Sequence, residues 1–198
     1  MLIYGFDPLC GWCYGFVPAM RAVRAAFPDL SVRLTLPGLV TGGRVGPYGE
    51  MEGYIRDASK RLEAVTGRAP SEAFFRTIAR PGVLGRSGPP CLVLAAARAH
   101  DAGKALGLAH MVIEAHFADG ADLNDPAIYP PLLSRAGIEI DLPDLEGDAD
   151  PLWAAERRFG IASFPTVQLG GRALPTEYDP PRVVATVAAA TGLTPVIS

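Results

Sequence analysis

The strongest constraint on the fold lies in the first forty residues, whose hydrophobic pattern changes twice. Residues 2–6 (LIYGF) form a short apolar run closed by Asp7-Pro8, which is typical of a buried strand that ends at a turn. Residues 16–27 then place apolar side chains on one face of a helix, and residues 31–37 alternate apolar with polar positions. Such a unit predicts two parallel strands, with the helix beginning at the carboxyl end of the first.

The pattern between about residues 45 and 155 is almost entirely helical, and strand character returns only after it. The predicted helices of this stretch cover residues 49–65, 71–79, 88–102, 104–118, 126–136 and 150–159. The segment FPTVQLGGRALP follows, with Gly170-Gly171 placed as in a tight hairpin, and a last helix is predicted over 180–191. The predicted order is βαβ, a helical insertion, then ββα.

This order predicts an α/β fold built from two parts. Residues 1–44 and 155–198 would form one discontinuous domain around the sheet, and residues 45–154 would form an all-α insertion domain.

Composition excludes several classes of function. The 198 residues are 49% hydrophobic and carry a net charge of -3, so the chain can bury its own core and lacks the basic surface that nucleic acids require. No apolar run approaches the roughly 20 residues of a membrane span, and the first residues do not resemble a signal peptide. We therefore expect a cytoplasmic protein that binds neither nucleic acid nor membrane, as a monomer or a homodimer.

Cys10 and Cys13, in the segment CGWC, could form a disulfide staple, half of a metal site, or a redox pair. Thiols stay reduced in the cytosol, which disfavours the staple. A zinc site needs four ligands, and the other soft side chains do not pair at the required spacing, so we predict no metal site. These side chains are Cys91, His100, His110 and His116. The redox interpretation is favoured over the other two.

The position of the two cysteines suits disulfide exchange. Cys10 stands where the first helix begins, and the free N–H groups of a helix start stabilise a thiolate. Cys13 lies one turn further on, on the same face, so it can attack a mixed disulfide formed at Cys10. Trp12 belongs to no apolar stripe and is predicted to be exposed, whereas Cys91 lies in an apolar helical run and is predicted to be buried.

Four segments together resemble a known family. They are DPLCGWCYGF, PPCLVLAAARAH, EAHFADGADLNDP and RRFGIASFPTVQLGG. With its helical insertion, the chain is similar to the DsbA-like thiol-disulfide oxidoreductases of the thioredoxin fold, and within them to the FrnE-like cytoplasmic branch. The resemblance covers nearly the whole chain.

The resemblance assigns roles to individual residues. It implies that Cys10 is the exposed attacking thiol, that Cys13 is the resolving thiol, and that Pro165 is a cis-proline facing them. Ser163 and Phe164 would then shape the contact with substrate. Gly11 and Trp12 stand where periplasmic members carry a histidine that stabilises the thiolate, so the resemblance implies a weaker oxidant than those members.

Three functions follow as hypotheses. The first is a protein-disulfide reductase or isomerase that acts on cysteine-containing proteins or peptides, with glutathione as a candidate co-substrate and no bound cofactor. The second is a glutathione-dependent isomerase or transferase of the same fold, although such relatives usually carry a lone serine at the position of Cys10. The third is a binding protein that does not use its thiols. The sequence does not determine the substrate, the redox partner, the direction of electron flow or the reduction potential.

Overall fold

The computed structural model describes residues 1–196 and contains a four-stranded sheet covered by helices. The strands of the sheet are β1 (Leu2–Gly5), β2 (Val32–Thr35), β5 (Thr166–Leu169) and β6 (Arg172–Ala173), in the order β2-β1-β5-β6. A separate two-stranded pair is formed by β3 (Gly46–Pro47) and β4 (Leu84–Gly85). The predicted α/β thioredoxin-like fold with a helical insertion is confirmed.

Eight α-helices surround or adjoin the sheet in the described chain. They are α1 (Gly11–Ala26), α2 (Glu52–Thr66), α3 (Glu72–Ile78), α4 (Gly88–His100), α5 (Ala102–Phe117), α6 (Tyr129–Ala136), α7 (Asp150–Glu156) and α8 (Pro180–Thr191). Short 3-10 turns precede α2 and α6 and follow α7, and a further one covers Gly42–Arg44. The helices predicted from periodicity are thus present, with ends that differ by a few residues.

The sheet places the start of α1 at a strand end, as the strand–helix–strand pattern predicts. β1 runs parallel to β2 and antiparallel to β5, so it occupies an interior position in the sheet. Behind β1 the chain makes a tight turn, in which the Cys10 N–H donates to the Asp7 carbonyl at 3.1 Å, and α1 begins directly afterwards. Cys10 therefore stands at the carboxyl edge of the central strands.

Two details of the helical stretch differ from the sequence prediction. The stretch is not free of strands, because β3 and β4 pair as two-residue segments around Gly46 and Gly85. Runs of two residues are too short for any alternating pattern to reveal. A serine directly before a helix is commonly its N-cap, but Ser87 makes no capping bond to α4. Its Oγ instead accepts a hydrogen bond from the Val40 N–H at 2.9 Å.

One buried core runs through the sheet and the helical insertion. Phe16 and Met20 of α1 belong to the same buried cluster as Val112 and Ile113 of α5. The boundaries at residues 44 and 154 therefore remain a prediction about chain organisation. Within residues 1–196 no helix is both long and apolar enough to cross a bilayer.

Candidate active site

Cys10 is the N-cap residue of α1. Its backbone is extended, with φ -88° and ψ 108°, and its Sγ accepts a hydrogen bond from the Cys13 N–H at 3.3 Å. This hydrogen bond uses one of the free N–H groups of the helix start and holds the Cys10 sulfur at that end of α1. Cys10 is only 5% exposed, so the expectation of a freely exposed attacking thiol is wrong. Access to the sulfur is instead through a cavity that Cys10 helps to line.

Cys13 lies one turn deeper and is fully buried. Burial, together with the neighbouring Cys10, raises the pKa of the Cys13 thiol well above its ordinary value. Both cysteines are free thiols in the structure. Cys13 is therefore held as a protonated thiol behind Cys10, and it needs a proton acceptor before it can act as a nucleophile.

A buried carboxylate, that of Asp7, lies next to this pair. One oxygen accepts the Leu9 N–H at 2.9 Å and the other accepts the Leu39 N–H at 2.7 Å. Burial raises the pKa of Asp7 to about 6, and the hydrogen bonds oppose this shift. The Asp7 charge also contributes to the raised pKa of Cys13. From the sequence, Asp7 marks only the end of a strand. The one sequence signal for its place in the site is that it stands three residues before Cys10.

Cys91 lies against the same carboxylate. It is fully buried in α4, as predicted, and its Sγ lies 3.9 Å from Asp7 Oδ2. Burial, with a contribution from the Asp7 charge, raises the pKa of the Cys91 thiol well above its ordinary value. Cys91 does not line the cavity beside Cys10.

Trp12 is half-buried, which contradicts the prediction that it is exposed. Its ring packs against Tyr178 with the ring centroids 5.5 Å apart, and Tyr178 in turn meets Phe16 edge-on at 5.7 Å. The sequence pattern missed this partner because Tyr178 lies in the loop before α8, far along the chain. Trp12 and its neighbour Gly11 both line the cavity beside Cys10.

The segment that leads into β5 faces the first cysteine. The Phe164 carbonyl oxygen lies 3.7 Å from Cys10 Sγ, and the peptide bond between Phe164 and Pro165 is cis. The Ser163 carbonyl accepts a hydrogen bond from Thr166 Oγ1 at 2.7 Å, which holds the turn before the strand. The structure thus brings Ser163 and Phe164 to the cavity that contains Cys10.

This cavity has a volume of about 610 Å³ and lies between the sheet edge and the helical insertion. One wall is α2, which contributes Ile55, Ala58 and Leu62. The opposite wall comes from the segment 157–164 and from residues 37–44. Such a volume is in the range of small-molecule sites and also leaves room for an extended peptide.

Comparisons with known proteins show which solved structures share the fold of the whole chain. No protein-family model and no curated protein matches the sequence. Among solved structures, the cytosolic disulfide reductase DsbM from Pseudomonas aeruginosa is 26% identical, with a TM-score of 0.79 over 98% of this chain and 99% of that one. The structure of DsbM with GSH is 25% identical, with a TM-score of 0.80 over 97% and 99% of the two chains.

Two more distant structures share the fold. A probable DsbA oxidoreductase from Streptomyces coelicolor is 17% identical, with a TM-score of 0.65 over 100% of this chain and 92% of that one. A 2-hydroxychromene-2-carboxylate isomerase is 14% identical, with a TM-score of 0.55 over 96% and 94%. Together these neighbours confirm the resemblance that the four sequence segments predict.

Proposed function

We propose that this chain, which has the fold of the DsbA-like thiol-disulfide oxidoreductases, exchanges disulfides in the cytoplasm through the dithiol of Cys10 and Cys13. The observation that carries the proposal is the placement of the two sulfurs. Cys10 Sγ accepts a backbone N–H at a helix start and lines a large cavity, while Cys13 lies directly behind it. An accessible thiol with a second thiol within one turn is the arrangement that disulfide exchange requires.

The reaction begins at Cys10. Its thiolate attacks one sulfur of a substrate disulfide, the substrate S–S bond breaks, and one substrate half leaves as a thiolate that takes up a proton. Cys13 then attacks Cys10 Sγ and releases the second half. Two electrons pass from the dithiol to the substrate, and the protons of the two cysteines end on the two released thiols.

Asp7 supplies a proton acceptor for the second step. Cys13 is held protonated by burial, and Asp7, with a pKa raised to about 6, is largely ionised at neutral pH. A buried carboxylate with such a pKa can accept the thiol proton and later release it. Hydrogen bonds from Leu9 and Leu39 keep the carboxylate oriented.

Cysteine-containing proteins or peptides are the proposed substrates. The backbone of Phe164 stands beside Cys10, where an extended chain could pair with it strand to strand. Glutathione is proposed as a co-substrate, since the DsbM structure with GSH has the same fold over nearly the whole chain. Ser163 and Phe164 line the cavity beside Cys10, which supports them as substrate-contacting residues. Pro165 follows them as the expected cis-proline, but it is buried and does not line the cavity, so no contact seen here supports it as a third substrate-contacting residue.

Cysteine variants test the proposal directly. We expect Cys10→Ser to abolish insulin reduction and Cys13→Ser to accumulate a mixed disulfide at Cys10, detected by mass spectrometry. Asp7→Asn should also accumulate the mixed disulfide at Cys10. In this variant Cys13 resolves the mixed disulfide more slowly than in the wild type, because the proton acceptor is lost. Asp141→Asn, at an exposed carboxylate that does not line the cavity, serves as a matched control with normal turnover. Full activity in both Cys10→Ser and Cys13→Ser would contradict the proposal.

A glutathione-dependent isomerase is the second candidate, favoured by the size of the cavity beside Cys10. Such an enzyme would need Cys10 or glutathione but not a resolving thiol. Turnover of a small electrophile with glutathione that is unchanged in Cys13→Ser would support this candidate over disulfide exchange.

A further inference from the structure

The cavity beside Cys10 has a positive lining although the protein as a whole is acidic. Arg44 and Arg157 line it, and within residues 1–196 no aspartate or glutamate does. The full chain carries a net charge of -3. A cleft lined by one sign of charge attracts ligands of the opposite sign, so the cavity suits an anion better than the rest of the surface does.

Neither guanidinium is used by the protein itself. In the part of the chain that the structure describes, Arg44 and Arg157 form no ion pair, whereas Arg56, Arg86 and Arg98 each bind a glutamate. The planar guanidinium binds carboxylates with two parallel hydrogen bonds. Two such groups without partners are therefore available to a ligand in the cavity.

The two arginines reach the cavity from separate segments of the wall. Arg44 ends the 3-10 turn Gly42–Arg44, and Arg157 begins the turn Arg157–Phe159 that follows α7. Both arginines line the same cavity as Cys10. Burial raises the pKa of the nearby Asp7, and the Arg44 charge opposes part of that rise. The opposite wall, formed by α2, is mainly apolar.

We propose that Arg44 and Arg157 bind the carboxylates of a low-molecular-weight disulfide while one of its sulfurs meets Cys10. The proposal rests on the disulfide exchange proposed above and names its substrate class. A volume of about 610 Å³ fits a molecule of tripeptide size and, beside two arginines, one that carries more than one carboxylate. Two thiols of the substrate are released and the Cys10–Cys13 disulfide forms, so the electrons and protons balance as described above.

Substrates that differ only in charge test the proposal. Glutathione disulfide is compared with 2-hydroxyethyl disulfide, which is uncharged, in the wild type, Arg44→Gln, Arg157→Gln and the double variant. We expect KM for glutathione disulfide to rise at least about tenfold in the double variant, since a hydrogen bond to a charged group contributes on that scale. KM for 2-hydroxyethyl disulfide and kcat for both should change less than about twofold.

Arg135→Gln provides the matched control. Arg135 is exposed on α6, does not line the cavity, and its substitution changes the net charge equally. Equal rises of KM for both disulfides, or no rise for glutathione disulfide, would overturn the proposal. A defect confined to a disulfide-linked acidic peptide would likewise overturn it, because the arginines would then serve a protein substrate.

Binding without turnover separates this proposal from the proposed function. Calorimetry with glutathione on Cys10→Ser, with and without the two arginine substitutions, measures carboxylate recognition alone. We expect the substitutions to weaken binding at least about tenfold. If binding depends on the arginines but no disulfide is exchanged by the wild type, the proposed function fails and the anion site stands. Binding that ignores the arginines overturns the site.

Discussion

Asp7 couples the chemistry of the site to the stability of the protein. A fully buried carboxylate is costly when ionised, and here two backbone N–H groups offset only part of that cost, so burial still raises its pKa to about 6. Cys13, the proposed resolving thiol, and Cys91 both lie near this one side chain. A group that is proposed to accept and return a proton has to be close to balance between its two forms, and Asp7 meets this condition near pH 6.

Asp7→Asn should change how stability depends on pH. The pKa of Asp7 is raised in the folded state, so the folded protein binds more protons than the unfolded chain between about pH 4 and pH 6. Wild-type stability therefore falls as pH rises through this window, whereas asparagine does not titrate. Relative to the wild type, the variant should gain about 2–3 kcal/mol between pH 4 and pH 7.

Urea unfolding at several pH values measures this difference. Its absolute value at any one pH also contains the hydrogen bond that the asparagine amide loses to Leu9 or Leu39, but that loss is the same at each pH. A difference in unfolding free energy that stays constant across the window would show that Asp7 titrates alike in the folded and unfolded chains.

Individual residues were the least predictable level of this structure. Both cysteines and Phe164 come together as the motifs suggest, because strand order and the helix start fix their positions. The prediction that Cys10 and Trp12 are exposed is wrong. Their burial depends on Phe164 and Tyr178, which lie far from them in the sequence and contact them only in the folded chain. Arg44 and Arg157 carry no local pattern, so only the folded cavity reveals them.

At the level of elements, a buried ion pair anchors the helix that presents Arg157. Glu156 ends α7 and is 2% exposed; its Oε1 accepts from Arg98 Nη2 at 2.7 Å and lies 3.7 Å from Arg33 Nη2. Arg98 also donates to the Leu34 carbonyl of β2 at 2.6 Å. The cluster thus ties α7 to the sheet and to α4, and it fixes where the following turn begins.

Glu156→Gln should destabilise the protein by about 3–5 kcal/mol, because it leaves the Arg98 charge without its buried partner. Glu114→Gln is the matched control: Glu114 binds Arg21 and Arg68 but is 25% exposed, so its loss should cost less than about 1 kcal/mol. Chemical denaturation of both variants measures the two costs. Equal losses of unfolding free energy in the two variants would mean that burial does not make the Glu156 ion pair more important for stability than the more exposed Glu114 pair.

Elements were the most predictable level, for a physical reason. The helices of the insertion have periodic apolar faces, and some begin after a typical N-cap residue. Ser71 is one such residue, and its Oγ accepts a hydrogen bond from the Phe74 N–H at 3.2 Å. The hairpin around Gly170-Gly171 follows from glycine's access to positive φ, which both residues adopt. The strands β3 and β4 were not predicted, because each is only two residues long and cannot show an alternating hydrophobic pattern.

For the whole molecule, the shared core bears on whether the two predicted parts can unfold separately. Asp7 is held by Leu39 from the sheet part and contacts Cys91 from the insertion, and the buried cluster includes side chains of both. The site is therefore assembled across the predicted boundary. A molecule with one continuous core is expected to unfold in a single cooperative transition.

The two tryptophans of the chain can test this expectation, since Trp12 belongs to α1 and Trp153 to α7. In Trp12→Phe the fluorescence reports on the surroundings of α7, and in Trp153→Phe it reports on the surroundings of α1. Within each variant, the urea midpoint from fluorescence should coincide with the midpoint from far-UV circular dichroism, which follows all the helices. A fluorescence transition of Trp153 that precedes the loss of helix would instead mean that α7, with the wall that holds Arg157, opens on its own. The cavity would then be formed only part of the time, and ligands that bind its arginines would stabilise the closed form.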